Sequence, residues 1–97
     1  TICRKWQKLQ RRKGMDSDIL VVFRSRVQTM DFIYRCQTLG ISATSMSTPR
    51  QINIGCGLSA RIHEGYYTKV KMLLQYNRYS AFVGIYKMTY NIPKRIY

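Results

Sequence analysis

The chemistry available to this chain centres on one cysteine between two glycines, Gly55-Cys56-Gly57. A cysteine thiolate is a strong nucleophile toward other sulfur atoms. Glycines on both sides leave the thiol uncrowded and permit backbone conformations that other residues avoid. A cysteine that only fills a core needs neither neighbour, whereas a thiol that meets another molecule benefits from both. The pattern favours a reactive thiol at Cys56, with a small strand-edge residue as the alternative.

Cations near a cysteine raise the fraction that is ionised. A free cysteine has a pKa of about 8.5, so only a few per cent is thiolate at neutral pH. We expect Arg50 to stabilise the thiolate and Arg61 to act as a second cation, with solvated surface arginines as the alternative. Pro49, Gly55 and Gly57 are expected to shape the loop. The backbone N–H groups of the Gly-Cys-Gly segment are expected to form a nest for a sulfur anion.

The remaining cysteines and the single histidine predict no further chemistry. Cys3, Cys36 and Cys56 are odd in number, widely spaced and without a CxxC motif, so neither a disulfide framework nor a zinc site is expected. Cys36 lies on a predicted helix and is interpreted as a small core residue. His63 would lie roughly 20 Å from Cys56 along an extended strand, so we expect a surface histidine. We expect no metal and no cofactor, and the four acids are too few and scattered for general acid–base catalysis.

Length and charge limit the class of protein. The 97 residues suit one domain, and 17 Lys and Arg against four acids give a formal charge of +13. Such a field attracts polyanions, or it is simply a solvated surface. No apolar run approaches the roughly 18 residues of a membrane-spanning helix. The basic N-terminal stretch lacks the apolar core of a signal peptide, so we expect a cytoplasmic protein.

Composition divides the chain into three segments. Residues 1–14 are rich in Lys and Arg and contain no acid, which indicates a basic arm that is disordered or foreign to the native protein. Residues 15–90 carry the periodic patterns of a folded domain. Residues 91–97 are expected to form a loosely held basic tail.

Hydrophobic periodicity predicts the element order β-α-β-β-α-β. The predicted strands are Ile19–Phe23, Ile41–Met46, Leu58–Ile62 and Ala81–Met88, and the predicted helices are Arg26–Leu39 and Glu64–Asn77. Ser25 is the expected N-cap of the first helix, and Gly40 ends it. The apolar face predicted for this helix consists of Val27, Met30, Ile33, Tyr34 and Gln37.

This order predicts an α+β fold of the ferredoxin-like type. In that arrangement four antiparallel strands carry both helices on one face. The opposite face would then be free for partners. The loop that holds Cys56 would join the second and third strands at one end of the sheet.

Residues 17 to 88 resemble the selenium/sulfur carrier-like proteins, which are small bacterial domains of unknown function. The resemblance rests on Thr48-Pro49-Arg50-Gln51-Ile52, then Asn53-Ile54-Gly55, then Cys56-Gly57-Leu58-Ser59-Ala60-Arg61. A Phe-Arg-Ser turn after the first strand, a Leu-Gly-Ile step into the second and a closing Gly-Ile-Tyr strand add to it. The chain departs from the family in its basic charge and in Gln51, where an acid is frequent.

The resemblance implies a thiol-based carrier rather than a stand-alone enzyme. Cys56 would hold sulfur or selenium as a persulfide or selenosulfide and pass it between partner proteins. The implied partners are a sulfur or selenium donor, such as a cysteine desulfurase, and an acceptor protein. The sequence does not distinguish sulfur from selenium, and it leaves the oligomeric state open.

The rival interpretation is a basic ferredoxin-like module that binds RNA or another polyanion, with Cys56 structural. Tyrosines such as Tyr86 and Tyr90 would then stack on bases. The third predicted strand, Leu58–Ile62, carries none of the aromatic residues that the RNA-recognition type requires there. Binding of phosphates through surface charge stays open as an alternative.

Overall fold

The computed structural model describes residues 17–53, 56–90 and 92–97. Within these ranges the chain forms β1 (Asp18–Phe23), α1 (Arg26–Thr38), β2 (Ala43–Ser47), β3 (Leu58–His63), a 3-10 helix (Glu64–Tyr66), α2 (Tyr67–Asn77), β4 (Phe82–Thr89) and β5 (Ile92–Arg95). The predicted basic arm, residues 1–14, lies outside the described residues. Neither described α-helix has the length and apolar character needed to cross a membrane.

The strands form one antiparallel sheet in the order β2-β3-β1-β4-β5. The fold is therefore α+β, but the prediction of four strands is wrong by one. Residues expected to be a loose tail instead pair with β4, with Pro93 opposite Met88. A proline cannot donate a ladder hydrogen bond, and an edge strand is the position in a sheet that tolerates one. The prediction missed β5 because proline and adjacent cations are typical of a tail as well as of an edge strand.

Both helices pack against one side of β1. Ile19, Val21 and Phe23 alternate toward the helices and are fully buried. Val70 and Leu74 of α2 complete this core, as the helical spacing predicts. Because β1 is central and buried on both faces, its sequence is a continuous apolar run instead of an alternating one.

Of the five residues in the predicted face of α1, only Ile33 is buried. Val27, Met30 and Tyr34 are 78%, 48% and 66% exposed. The helix instead buries a second stripe at helical spacing, formed by Thr29, Phe32, Ile33 and Cys36. Both stripes have the period of a helix, so spacing alone does not choose between them. The Phe32 ring decides the orientation, since it packs 5.5 Å from the Phe23 ring, measured between centroids.

The second face of the sheet is not free, contrary to expectation. Leu20 and Val22 point to this side and are fully buried, in a cluster with Ile52 and Met88. Ile52 belongs to the connection between β2 and β3, so this connection folds back over the sheet. Ile52, four residues before Cys56, is therefore anchored by hydrophobic burial.

Candidate functional site

The motif loop, residues 48–57, brings Cys56 to the end of β1. The Cys56 N–H donates to the Phe23 carbonyl at 3.1 Å, and the Thr48 N–H donates to the Gly57 carbonyl at 3.0 Å. Gly57 has φ +86°, a conformation that glycine adopts at little cost. These contacts hold the backbone at Cys56 and Gly57 in place.

The Cys56 thiol is partly exposed and has two polar neighbours. Its Sγ lies 3.4 Å from the Leu58 carbonyl oxygen and 3.7 Å from Thr29 Oγ1. Thr29 is fully buried, and its hydroxyl donates to the Ser25 carbonyl at 2.9 Å. The thiol of this partly exposed residue therefore lies within hydrogen-bond distance of both α1 and the start of β3.

The neighbouring protein surface is the N-terminal turn of α1. Ser25 is the N-cap, as predicted, and its hydroxyl accepts from the Gln28 N–H at 3.2 Å. Thr29 stands in the same turn and carries the contact to Cys56. The N-terminal end of a helix carries a partial positive charge, which favours a nearby anion.

Ionisation would change the hydrogen bonds of this site. A neutral thiol donates to the Leu58 carbonyl, and a thiolate has no proton to give. Within the described surroundings, the Thr29 hydroxyl is then the group that can donate to the sulfur, by turning away from the Ser25 carbonyl. The arrangement thus offers a donor to a sulfur anion without moving the backbone.

The structure does not bring the two predicted arginines into a contact with the thiol. Arg50 is exposed in the turn where the Ile52 N–H donates to the Pro49 carbonyl at 3.0 Å. Arg61 pairs with Asp18 at the opposite end of β1. For both arginines, the described hydrogen bonds and ion pairs include none to Cys56.

The predicted nest of N–H groups is wrong for Cys56, because its N–H is bonded to the Phe23 carbonyl. Gly55, the other glycine predicted to shape the loop, lies outside the described residues. A nest requires adjacent N–H groups that converge on one anion. The thiol instead faces a side-chain hydroxyl.

The other candidate residues lie away from this site. Cys36 is fully buried, which confirms its assignment to the core, and burial raises the pKa of its thiol to about 11. His63 is exposed, as predicted, and its Nδ1 accepts from the Gly65 N–H at 3.0 Å. Cys3 lies outside the described residues. In the described part of the chain, no three His, Cys, Asp or Glu side chains converge as metal ligands would.

Thr29 is the site residue that the sequence analysis missed. Thr29 follows the N-cap Ser25 by four residues and so lies one turn into the helix. No sequence signal marked it, because helical spacing does not choose between the two stripes of α1 and so does not place Thr29 on the buried one. The pairing with Cys56, 27 residues away, depends on the tertiary fold.

Comparison with protein families places the chain. The model of the family described as "Putative Se/S carrier protein-like" matches residues 18–87. The chain belongs to this family. Comparisons with curated proteins and with solved structures found no match.

The Se/S carrier-like match confirms the family resemblance inferred from the sequence. It extends from the first residue of β1 into β4 and includes Thr29 and the motif loop. Strand β5 and residues 1–17 fall outside it. The site described above therefore lies within the segment that defines the family.

Proposed function

We propose that Cys56 carries sulfur or selenium as a persulfide or selenosulfide and delivers it to an acceptor protein. The observation that carries the proposal is a partly exposed thiol held against the first turn of α1, beside the Thr29 hydroxyl. Membership of the Se/S carrier-like family supports the same chemistry. Arg50 is proposed to add positive charge along the path by which a partner reaches Cys56, since it is exposed in the same loop.

Loading is a transfer of one sulfur atom between thiols. The Cys56 thiolate attacks the outer sulfur of a donor persulfide, R–S–SH. A new S–S bond forms on Cys56, the donor S–S bond breaks, and the donor thiolate leaves with the electron pair of that bond. Delivery reverses the roles, since an acceptor nucleophile attacks the outer sulfur and the Cys56 thiolate leaves. A selenium atom in the outer position follows the same balance.

We also infer that the domain is ferredoxin-like with one added strand. The order β2-β3-β1-β4, with helices after β1 and β3, supports this assignment, and β5 extends the sheet beyond β4. The inference matters for function because it relates the Cys56 loop to the β2–β3 connection of that fold.

Mass spectrometry tests the carrier proposal. The intact protein is incubated with a cysteine desulfurase and cysteine, and the gain of one sulfur atom is mapped by peptide analysis. We expect the adduct on Cys56 in the wild type and in Cys36→Ala, and its loss in Cys56→Ser. Cys36→Ala is the matched control because it removes a buried thiol. The proposal fails if the wild type gains no sulfur, or if Cys56→Ser gains as much.

The RNA-binding alternative has less support at this site. Base stacking on a ferredoxin-like sheet uses its open face. Here Leu20 and Val22 on that face are buried in a cluster with Ile52, and Tyr86 is partly buried beside them. We therefore propose the carrier role as the function of Cys56.

A further inference from the structure

The described acids lie away from the thiol or are already paired. Asp18 pairs with Arg61, and Glu64 pairs with Lys87. Both pairs lie at the end of β1 opposite Cys56, where the Glu64 N–H also bonds the Ser17 carbonyl. Asp31, on α1, pairs with Arg35 and accepts from the Tyr79 hydroxyl. Each described Asp and Glu carboxylate is therefore paired with a cation within the fold.

Four exposed arginines surround the thiol end of the molecule, which we define by Cys56 and by Arg24, Arg26, Arg50 and Arg78. Arg24 follows Phe23, whose carbonyl binds the Cys56 N–H, and Arg26 opens α1.

Arg78 follows the last residue of α2, and the segment after it contacts residues of the thiol end. The Gln28 amide donates to the Ser80 hydroxyl and accepts from the Ala81 N–H. The Arg24 N–H donates to the Ala81 carbonyl at 2.7 Å. The described acids form no ion pair with any of the four arginines of the thiol end.

An apolar stripe begins at this end. Val27, Met30 and Tyr34 lie on the side of α1 opposite the buried stripe, and Val27 is 78% exposed. Exposed aliphatic and Met side chains next to arginines are typical of protein-binding surfaces, which combine an apolar centre with a charged rim. A surface for phosphates alone does not require such a stripe.

We propose that the thiol end and the apolar stripe form the docking surface for an acidic protein partner. The partner presents carboxylates to the arginines and an apolar side chain to Val27 and Met30. A second copy of this chain does not fit, because the formal charge of +13 would repel it. The inference rests on the carrier proposal and names the chemistry of the donor or acceptor.

The test measures thiol–disulfide exchange with defined peptides. Three decapeptides each carry one cysteine as a mixed disulfide with an aromatic thiol, whose release is followed by absorbance. One contains Glu and Leu, one Glu and Ser, and one Gln and Leu. The protein carries Cys3→Ser, and peptide mapping confirms Cys56 as the attacking thiol. No persulfide forms in this assay, so a failure here is distinct from a failure of the carrier proposal.

At low salt we expect the Glu–Leu peptide to react at least about tenfold faster than the Gln–Leu peptide, because opposite charge accelerates association. Arg24→Glu with Arg26→Glu should remove this advantage. Lys69→Glu with Lys94→Glu is the matched control, since it makes the same change in net charge at two exposed cations, on α2 and β5, away from the thiol end. Met30→Ser should slow the reaction of the Glu–Leu peptide, whereas Met72→Ser, at a more exposed Met on α2, should not.

Three results would overturn the proposal. The first is an equal rate for the Glu–Leu and Gln–Leu peptides. The second is that the Glu–Ser peptide reacts as fast as the Glu–Leu peptide and that Met30→Ser has no effect on the rate. Charge alone would then account for binding at this surface. The third is binding of mixed tRNA that weakens in the arginine double variant, combined with no acceleration by either acidic peptide. That last result would assign the thiol end to nucleic acid.

Discussion

At the scale of single residues, the Thr29 hydroxyl has one proton and three acceptors. They are the Ser25 carbonyl at 2.9 Å, the Leu58 carbonyl at 3.5 Å and Cys56 Sγ at 3.7 Å. The shortest of these distances is to the Ser25 carbonyl, so the hydroxyl donates to that carbonyl while the thiol is neutral. A thiolate is the stronger acceptor because it is charged. A thiolate at Cys56 would therefore compete with the Ser25 carbonyl for the hydroxyl proton of Thr29.

Thr29→Val should slow alkylation of Cys56 by iodoacetamide at pH 7. Valine keeps the shape and removes the donor to the thiolate. A hydrogen bond to a charged group contributes about 1.5–3 kcal/mol, and the long contact to sulfur places the expected loss near the lower limit, roughly tenfold in rate. The rate is measured by quenched alkylation and peptide mapping.

Thr29→Ser is the control for this prediction, since it keeps the hydroxyl and should alkylate at nearly the wild-type rate. Thermal melting checks that both variants are folded, because Thr29 also bonds the Ser25 carbonyl. Equal rates for Thr29→Val and the wild type would mean that the hydroxyl does not assist the thiolate.

Cys36 should resist alkylation while Cys56 reacts. Burial raises the pKa of Cys36 to about 11, so at pH 8 roughly one molecule in a thousand carries its thiolate. The native protein at pH 8 should show label at Cys56 and none at Cys36, and unfolding in guanidinium should expose Cys36 to label. Substantial native labelling of Cys36 would show that α1 opens readily from the sheet.

At the scale of elements, the sequence predicted the helices, the central strands and the buried face of α2, but not the buried face of α1. The run Ile19–Phe23 has one physical interpretation, a strand buried on both faces, and β1 matches it. Helix α1 has two stripes of equal period, and only packing against Phe23 selects the one with Phe32. The contact between Thr29 and Cys56 depends on that choice. The sequence therefore predicted the thiol of the site but not its hydroxyl.

Gly57 and Gly40 form a natural pair for testing the motif loop. They have φ +86° and +80°, and an added Cβ would meet nothing within 4 Å at either position. Alanine at each should cost about 1 kcal/mol of unfolding free energy, because the strain is in the backbone. Chemical denaturation measures this loss.

Gly57→Ala should also change the alkylation rate of Cys56, because Gly57 adjoins the thiol. Gly40→Ala should leave that rate unchanged, because Gly40 follows the distant end of α1. A similar change in rate for both variants would show that stability, not loop geometry, controls the thiol.

At the scale of the whole molecule, several contacts join parts that are distant in the chain. Strand β5 brings Tyr97 against α2, where the Lys71 ammonium lies 5.0 Å from the Tyr67 ring and 5.2 Å from the Tyr97 ring, measured to the centroids. The Tyr67 hydroxyl donates to the Ile96 carbonyl. Sequence analysis could not predict the contacts to Tyr97 and Ile96, since each needs a pairing across more than twenty residues. The same holds for the burial of Ile52 over the second face.

The cluster of Asp31, Arg35 and Tyr79 joins α1 to the segment before β4, and its stability should depend on pH. The Asp31 carboxylate accepts from Arg35 at 2.9 Å and from the Tyr79 hydroxyl at 2.7 Å, and these hydrogen bonds lower its pKa in the folded protein. A carboxyl whose pKa is lower when folded stabilises the fold above its unfolded pKa of 3.8. That contribution disappears as the pH falls through the folded pKa.

Asp31→Asn should therefore lower the free energy of unfolding at pH 6, and its difference from the wild type should shrink below pH 3.8. Urea denaturation at several pH values measures this difference. The effect should also weaken with salt, because the ion pair is substantially exposed. Tyr79→Phe supplies the control, since its ring still packs 5.3 Å from the Phe23 ring. In the Tyr79→Phe background, Asp31→Asn should lower the free energy of unfolding by less than it does in the wild type. Full additivity of the two substitutions would show that the hydroxyl and the carboxylate do not cooperate.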